Sequence, residues 1–165
     1  MIRLAKNTAT DVLQAFKKEV TGIELNRSIA NIMFADISDH FRDETDSAGK
    51  KWPPLAKITI EKRRKGGGSG SAKPLRDTGQ MFMSLNTEQT NDMEAVVSAN
   101  KYDAYFGINV AELQNDGGRG KILEADGSVT DIYVPAREFM WISGGAIKEI
   151  ENLAPIISKK AMREA

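Results

Sequence analysis

From Leu25 to Phe41 an apolar residue returns every four positions, at Leu25, Ile29, Met33, Ile37 and Phe41, with Ile32 beside them. That spacing lays one stripe along a helix and predicts a long amphipathic helix over residues 22–44, the main one of the chain. Thr21-Gly-Ile-Glu24 reads as its capping box, with Val20 and Leu25 placed for a hydrophobic staple. Upstream, Val12, Leu13, Phe16 and Val20 predict a shorter helix around residues 10–20, capped by Thr8 and Asp11.

Beyond Asp46-Ser-Ala-Gly49 the pattern breaks, and Trp52-Pro-Pro-Leu55 predicts extended or turning backbone. Lys57 to Lys65 fits either a short helix or, from Ile58 and Ile60 around Thr59, a strand. Gln80 to Leu85 reads as a short helix or turn. The period then becomes strand-like, with β-forming runs at Glu94–Ala99 and Tyr105–Val110. Lys121–Ala125 and Ser128–Val134 flank Asp126-Gly127, the dipeptide of a two-residue type I′ hairpin. A last helix runs from about Ala146, with Ile147, Ile150, Leu153, Ile157 and Ala161 on one face and Pro155 as an interruption or kink. The order predicts an α+β fold: an antiparallel sheet flanked by helices, in one domain over residues 1–165.

Composition changes this picture little. Basic and acidic residues balance at 23 each, so attraction to nucleic acid or an anionic membrane must come from local charge. There is no cysteine, which removes disulfides and thiolate metal sites. No stretch reaches the length of a membrane span, and the N-terminus lacks the apolar run of a signal peptide.

Four features carry candidate chemistry. Residues 61–79 read EKRRKGGGSGSAKPLRDTG. A P-loop needs Gly-Lys-Ser/Thr, and Lys73 stands between Ala72 and Pro74, so the motif fails. The stretch predicts a mobile basic Gly/Ser loop at residues 62–74, in which Lys62, Arg63, Arg64 and Lys65 are solvated or contact phosphates. His40, the single histidine, builds no common zinc site alone and reads as structural or solvated, with Asp36 one turn away. Asp36, Asp39 and Asp43 share a helix face without EF-hand order, so a solvated face is expected. Trp52 and Trp141 read as packing anchors. No catalytic, cofactor or metal residues are assigned. The inventory indicates a binding or structural protein.

Four pieces in fixed order then carry a resemblance. They are Phe41-Arg-Asp-Glu-Thr-Asp leading into Gly49-Lys-Lys-Trp-Pro-Pro-Leu55, then Pro74-Leu-Arg-Asp-Thr-Gly-Gln-Met81, then Ala111-Glu-Leu-Gln-Asn-Asp-Gly-Gly118, then Val134-Pro-Ala-Arg-Glu-Phe139. Across about residues 37–140 this set resembles the virion morphogenesis and tail-completion family of Mu-like and P2-like tailed phages. Two departures stand out: the family's usual tyrosine and histidine fall at Val110 and Gln114, and Ser47-Ala48 stand where a proline is common.

The resemblance implies a non-enzymatic assembly protein with a tail-terminator or head–tail-joining type of fold. It places the protein in the virion, at the neck or head-proximal end of the tail, after assembly in the bacterial cytoplasm. A homo-oligomeric ring is implied, hexameric or dodecameric, touching tail-tube and neck or connector proteins. Assembly candidates are Trp52, Lys62, Arg63, Arg64, Lys65, Arg137, Phe139 and Trp141. Arg137 is expected to pair with a carboxylate, of a neighbour or of its own chain. The four basic residues at 62–65 are also the ones able to face DNA in a ring lumen, and a DNA-binding module using them is the alternative reading.

Overall fold

The structure is a computed structural model that describes residues 2–3, 23–67, 71–91, 94–124 and 126–164. The expected helix around residues 10–20, the capping box and the Gly/Ser stretch at 68–70 lie wholly or partly outside these residues.

In chain order the elements are β1 (Ile2–Arg3), α1 (Ile23–Asp43), α2 (Lys57–Lys62) with a π-helical turn (Arg63–Gly67), α3 (Gln80–Met83), β2 (Leu85–Asn91) and β3 (Glu94–Ala99). Then come β4 (Tyr102–Asp103), β5 (Ile108–Asn109), α4 (Val110–Asp116), β6 (Gly118–Leu123), β7 (Val129–Val134) and α5 (Gly144–Glu164). Three antiparallel sheets form, in the orders β1-β3-β2, β4-β5 and β6-β7. The fold is α+β, as the order of patterns predicted.

The stripe on α1 is the floor of the core. Leu25, Ile29, Met33, Ile37 and Phe41 are all buried. Each such side chain contributes about 1.5–3 kcal/mol on leaving water, on the order of 10 kcal/mol for the row. Packing against a sheet, rather than intrinsic propensity, therefore holds this helix. Ala95, Val97 and Ala99 of β3 and Leu85 of β2 belong to the same core, and Val96 and Ser98 on the opposite face of β3 are buried too.

Helix α1 stops where Glu44 turns left-handed at φ 55°, its N–H returning to the His40 carbonyl at 2.7 Å. A Thr45–Lys51 bridge closes the following loop, and the Trp52 N–H reaches the Glu44 carbonyl at 2.7 Å. Trp52 is thereby delivered edge-on to Phe41, with ring centroids 5.9 Å apart.

Several expectations are corrected. Of the two readings of Lys57–Lys65 the helical one holds; the correction is that the basic residues 62–65 lie in this helix and its π turn rather than in a loop. Of the Tyr105–Val110 run only Ile108–Asn109 is a strand. Asn109 caps α4 by accepting the N–H groups of Ala111 and Glu112 at 3.0 and 3.3 Å, which turns Val110 into a helix start. The β6-β7 hairpin closes through the Glu124 N–H to Ser128 carbonyl bond at 2.8 Å, with Gly127 left-handed at φ 84°. The turn is thus one residue longer than a two-residue type I′ turn. The Ser128 hydroxyl and N–H both donate to Asp126, and together they hold its carboxyl below the usual carboxylate range. Pro155 lies inside α5, which continues through it.

Helix α5 is pinned to α1 at its first turn. Ser143 caps it by accepting the Ala146 N–H at 3.1 Å, and Asp36 accepts both the N–H and the hydroxyl of Ser143 at 2.7 and 2.6 Å. Replacing Asp36 by Ala strands both donors in a half-buried setting. We expect a loss of about 1–3 kcal/mol, read as a lower midpoint with unchanged slope in urea unfolding.

Candidate functional site

Three of the four sequence pieces that stood far apart meet at one side chain, Arg137, and the second joins through Arg76. Arg137 follows the end of β7 through Pro135-Ala136 and is 4% exposed. Its Nε donates to the Pro53 carbonyl at 3.0 Å, Nη1 to Gln114 Oε1 at 3.0 Å, and Nη2 to the Pro54 carbonyl at 3.4 Å. Its own N–H also reaches the Gln114 carbonyl at 2.8 Å. The local chemistry explains the partners. Two successive prolines keep residues 53–54 out of helix or sheet and leave their carbonyls without regular partners. A planar fork is the donor that fits such an array.

The intrachain carboxylate, one of the two expected partners, does not occur. Among the described residues no acid pairs with Arg137, neither as an ion pair nor as a hydrogen bond. Burial lowers its pKa, and the positive charge of nearby Arg63 adds to the effect. The guanidinium is a desolvated cation satisfied by neutral dipoles alone.

Neighbouring bonds complete the junction. The Trp52 Nε1–H donates to the Glu138 carbonyl at 3.0 Å. Asn115 Oδ1 accepts the N–H groups of Phe139 and Met140, each at 3.0 Å. His40 Nδ1 lies 2.9 Å from the Phe139 carbonyl, which assigns the ring proton to that nitrogen. The imidazole stacks on Trp141 at 3.8 Å between centroids and 2° between planes, and its Nε2 lies 3.7 Å from Asp36. His40 is therefore a buried structural histidine. Arg76 ties the second piece in by donating to the Phe41 carbonyl at 2.8 Å.

Two cavities take residues from the segments that meet at Arg137. One, of about 260 Å³, is lined by Leu55, Arg63, Leu75, Asp77, Thr78, Gly79, Gln80, Met81, Lys101, Val110 and Gln114. Arg63 and Asp77 pair across it at 3.5 Å. The other, of about 410 Å³, is lined by Asp46, Trp52, Pro53, Asn115, Asp116, Ala136 and Glu138. Its three carboxylates are not gathered for a metal ion, and no such group of His, Asp or Glu occurs among the described residues.

The assembly candidates separate accordingly. Trp52, Arg137 and Phe139 are buried in the subunit, and Trp141 is half-buried against His40. Lys62 is paired with Glu124 at 2.8 Å and Arg63 with Asp77, whereas Arg64 and Lys65 are exposed without a bond among the described residues. The acidic face of α1 divides too: Asp39 and Asp43 flank exposed Arg42 at 2.7 and 3.0 Å, while Asp36 turns inward to Ser143. Gln114 and Asn115 were not singled out for a role. Their only signal was position, inside the third of the ordered pieces.

The sequence profile of the phage virion morphogenesis family matches residues 5–156, and the chain belongs to that family. No curated protein and no solved structure gives a significant match. Gln114, which departs from the pattern the resemblance implies, supplies an acceptor to Arg137. Gln114→Ala is expected to cost about 1–3 kcal/mol and Arg137→Ala about 3 kcal/mol or more, by urea unfolding. Gln114→His preserves the bond only while the imidazole is neutral. Beside Arg137 its pKa is held below the ordinary ~6.5, so stability gained above that value is lost as pH falls through the depressed one. Urea midpoints that drop toward pH 5 in Gln114→His and not in the parent test this.

Proposed function

We propose that this member of the phage virion morphogenesis family acts at the head–tail junction as the subunit of a ring, completing the tail or joining it to the head. The observation that carries the reading is the family match over residues 5–156, joined to a motif set that builds structure rather than a reaction centre. The four pieces are consumed in holding the subunit together through Arg137, Trp52, Asn115 and Arg76. A non-enzymatic role is the reading they support. Among the described residues no helix is long and apolar enough to cross a membrane.

A ring subunit needs two different faces, because head-to-tail contacts are heterologous. Apolar side chains are exposed in two separate regions, Met83, Tyr102 and Tyr105 in one and Leu123, Val129 and Tyr133 in another. The Asn100 N–H to Ser84 carbonyl bond at 3.2 Å groups the first set at one end of the β2-β3 pair. The second set lies on the β6-β7 hairpin. Contact with DNA in a ring lumen falls to Arg64 and Lys65, since Lys62 and Arg63 hold internal partners.

Native mass spectrometry of the purified protein is expected to show a closed oligomer, six subunits being favoured. Labelled antibody should mark the neck of intact virions. A protein missing from mature particles ends the proposal. Arg64→Gln with Lys65→Gln should leave the oligomer intact and weaken any DNA retention at low salt, with little change in a protein that does not meet DNA.

A further inference from the structure

We infer that the outward face of the β6-β7 hairpin is a docking surface for a second copy of this chain, received in the groove between Pro53 and Asp116. The inference rests on the ring reading and names its contact.

The register divides the hairpin into two faces. Gly118, Gly120, Ile122, Thr130, Ile132 and Val134 share one, which is covered at its base where Leu113 of α4 sits over Gly120. Arg119, Lys121, Leu123, Val129, Asp131 and Tyr133 share the other, and every one of them is exposed, Tyr133 by 77%. A two-stranded ribbon standing in water on one side is marginal by itself. Three large apolar side chains on that side mark an interaction face.

Charge selects the occupant. Arg119 and Lys121 have no ion-pair partner within 4 Å among the described residues; Asp131, directly opposite Lys121 in the register, is the single acid on their face and leaves it one positive charge in excess. The groove carries three carboxylates, Asp46, Asp116 and Glu138, which meet hydroxyl, amide and backbone donors but no cation. Its exposed apolar surface is that of Pro53 and Ala136. Apolar and cationic thus faces apolar and anionic on one chain of zero net charge. The other exposed apolar region offers one carboxylate, Asp103, two residues from Lys101, and gives the hairpin's cations less to meet.

Size requires the contact to extend further. Two strands about 17 Å long cover roughly 170 Å² in projection, well below the ~800 Å² per partner of a stable complex. Helix α2 supplies the extension. Lys62 fastens it to the hairpin tip at Glu124, and Ile58, one turn earlier on the same face, is 63% exposed.

The absence of cysteine allows a direct test. Leu123→Cys lies at the hairpin tip and Asp116→Cys at the groove, five strand residues or about 17 Å away on the same chain, beyond the ~7 Å that a disulfide spans. Oxidation of the double variant with diamide should give a ladder of covalent oligomers on a denaturing gel, and a mixture of the two single variants should give dimers. Dimers from Leu123→Cys alone indicate a tip-to-tip contact and overturn the assignment. So does a double variant that forms the native oligomer yet does not cross-link, which leaves the ring reading standing. A parent protein that is monomeric at every concentration overturns both. As a second arm, Arg119→Glu with Lys121→Glu should weaken association at least tenfold, with thermal unfolding of the subunit measured beside it because Lys121→Glu sets a second acid opposite Asp131. Adding Asp116→Lys and Glu138→Lys should restore it, and failure of that restoration counts against the pairing.

Discussion

A guanidinium buried without a carboxylate sets the terms for the rest of this structure. Taking a cation out of water costs several kcal/mol, and an anion would be the usual compensation. Arg137 instead meets two proline carbonyls and an amide oxygen, three dipoles that must all be present at once. The segment carrying Trp52-Pro53-Pro54, helix α4 and the chain leaving β7 are therefore held in one mutual arrangement. Loss of any of them leaves a buried charge short of acceptors. Nearby Arg63 raises the cost further, and its pairing with Asp77 limits that cost.

Around that junction the long helix works as a spine with two sides. Its apolar row lies on the sheet, while its C-terminal half reaches the last third of the chain through His40 to Phe139 and Asp36 to Ser143. Each contact is modest, on the order of 1–3 kcal/mol. Their value is positional. They fix the chain just after Arg137, so that Trp141 stacks on His40 and α5 begins against α1.

Much of this frame was legible from residue spacing, because a stripe of apolar residues four apart has one good way to be buried. The β6-β7 hairpin was legible from Asp126-Gly127, although the turn is one residue longer than the dipeptide suggests. Strand β2, LNTEQTN, was not foreseen, since an edge strand rich in polar residues lacks the apolar alternation that marks a buried one. Helix α4 was hidden because Asn109, its cap, sits at the end of a β-forming run. Arg137 gave the least information: an arginine in a turn looks the same in sequence whether it meets a carboxylate, water or three carbonyls. Its position within an ordered motif set pointed to it, and only the packing shows that the set is a subunit's internal joint.

That distinction bears on how such a protein associates. Side chains locked in the joint, including Trp52, Arg137 and Phe139, cannot meet a neighbour without opening the core. Association must use what the joint leaves outside and holds still. The hairpin qualifies on both counts. Gly117, at φ 73°, lies so near Ala136 that a Cβ there would come within 2.7 Å of its backbone nitrogen, so the base of the hairpin is seated directly on the segment leading into Arg137. A rigid base and an unpartnered outer face make an arm whose direction is set by the same buried arginine that closes the subunit. For the proposed contact, a base seated in this way lowers the conformational entropy that binding costs.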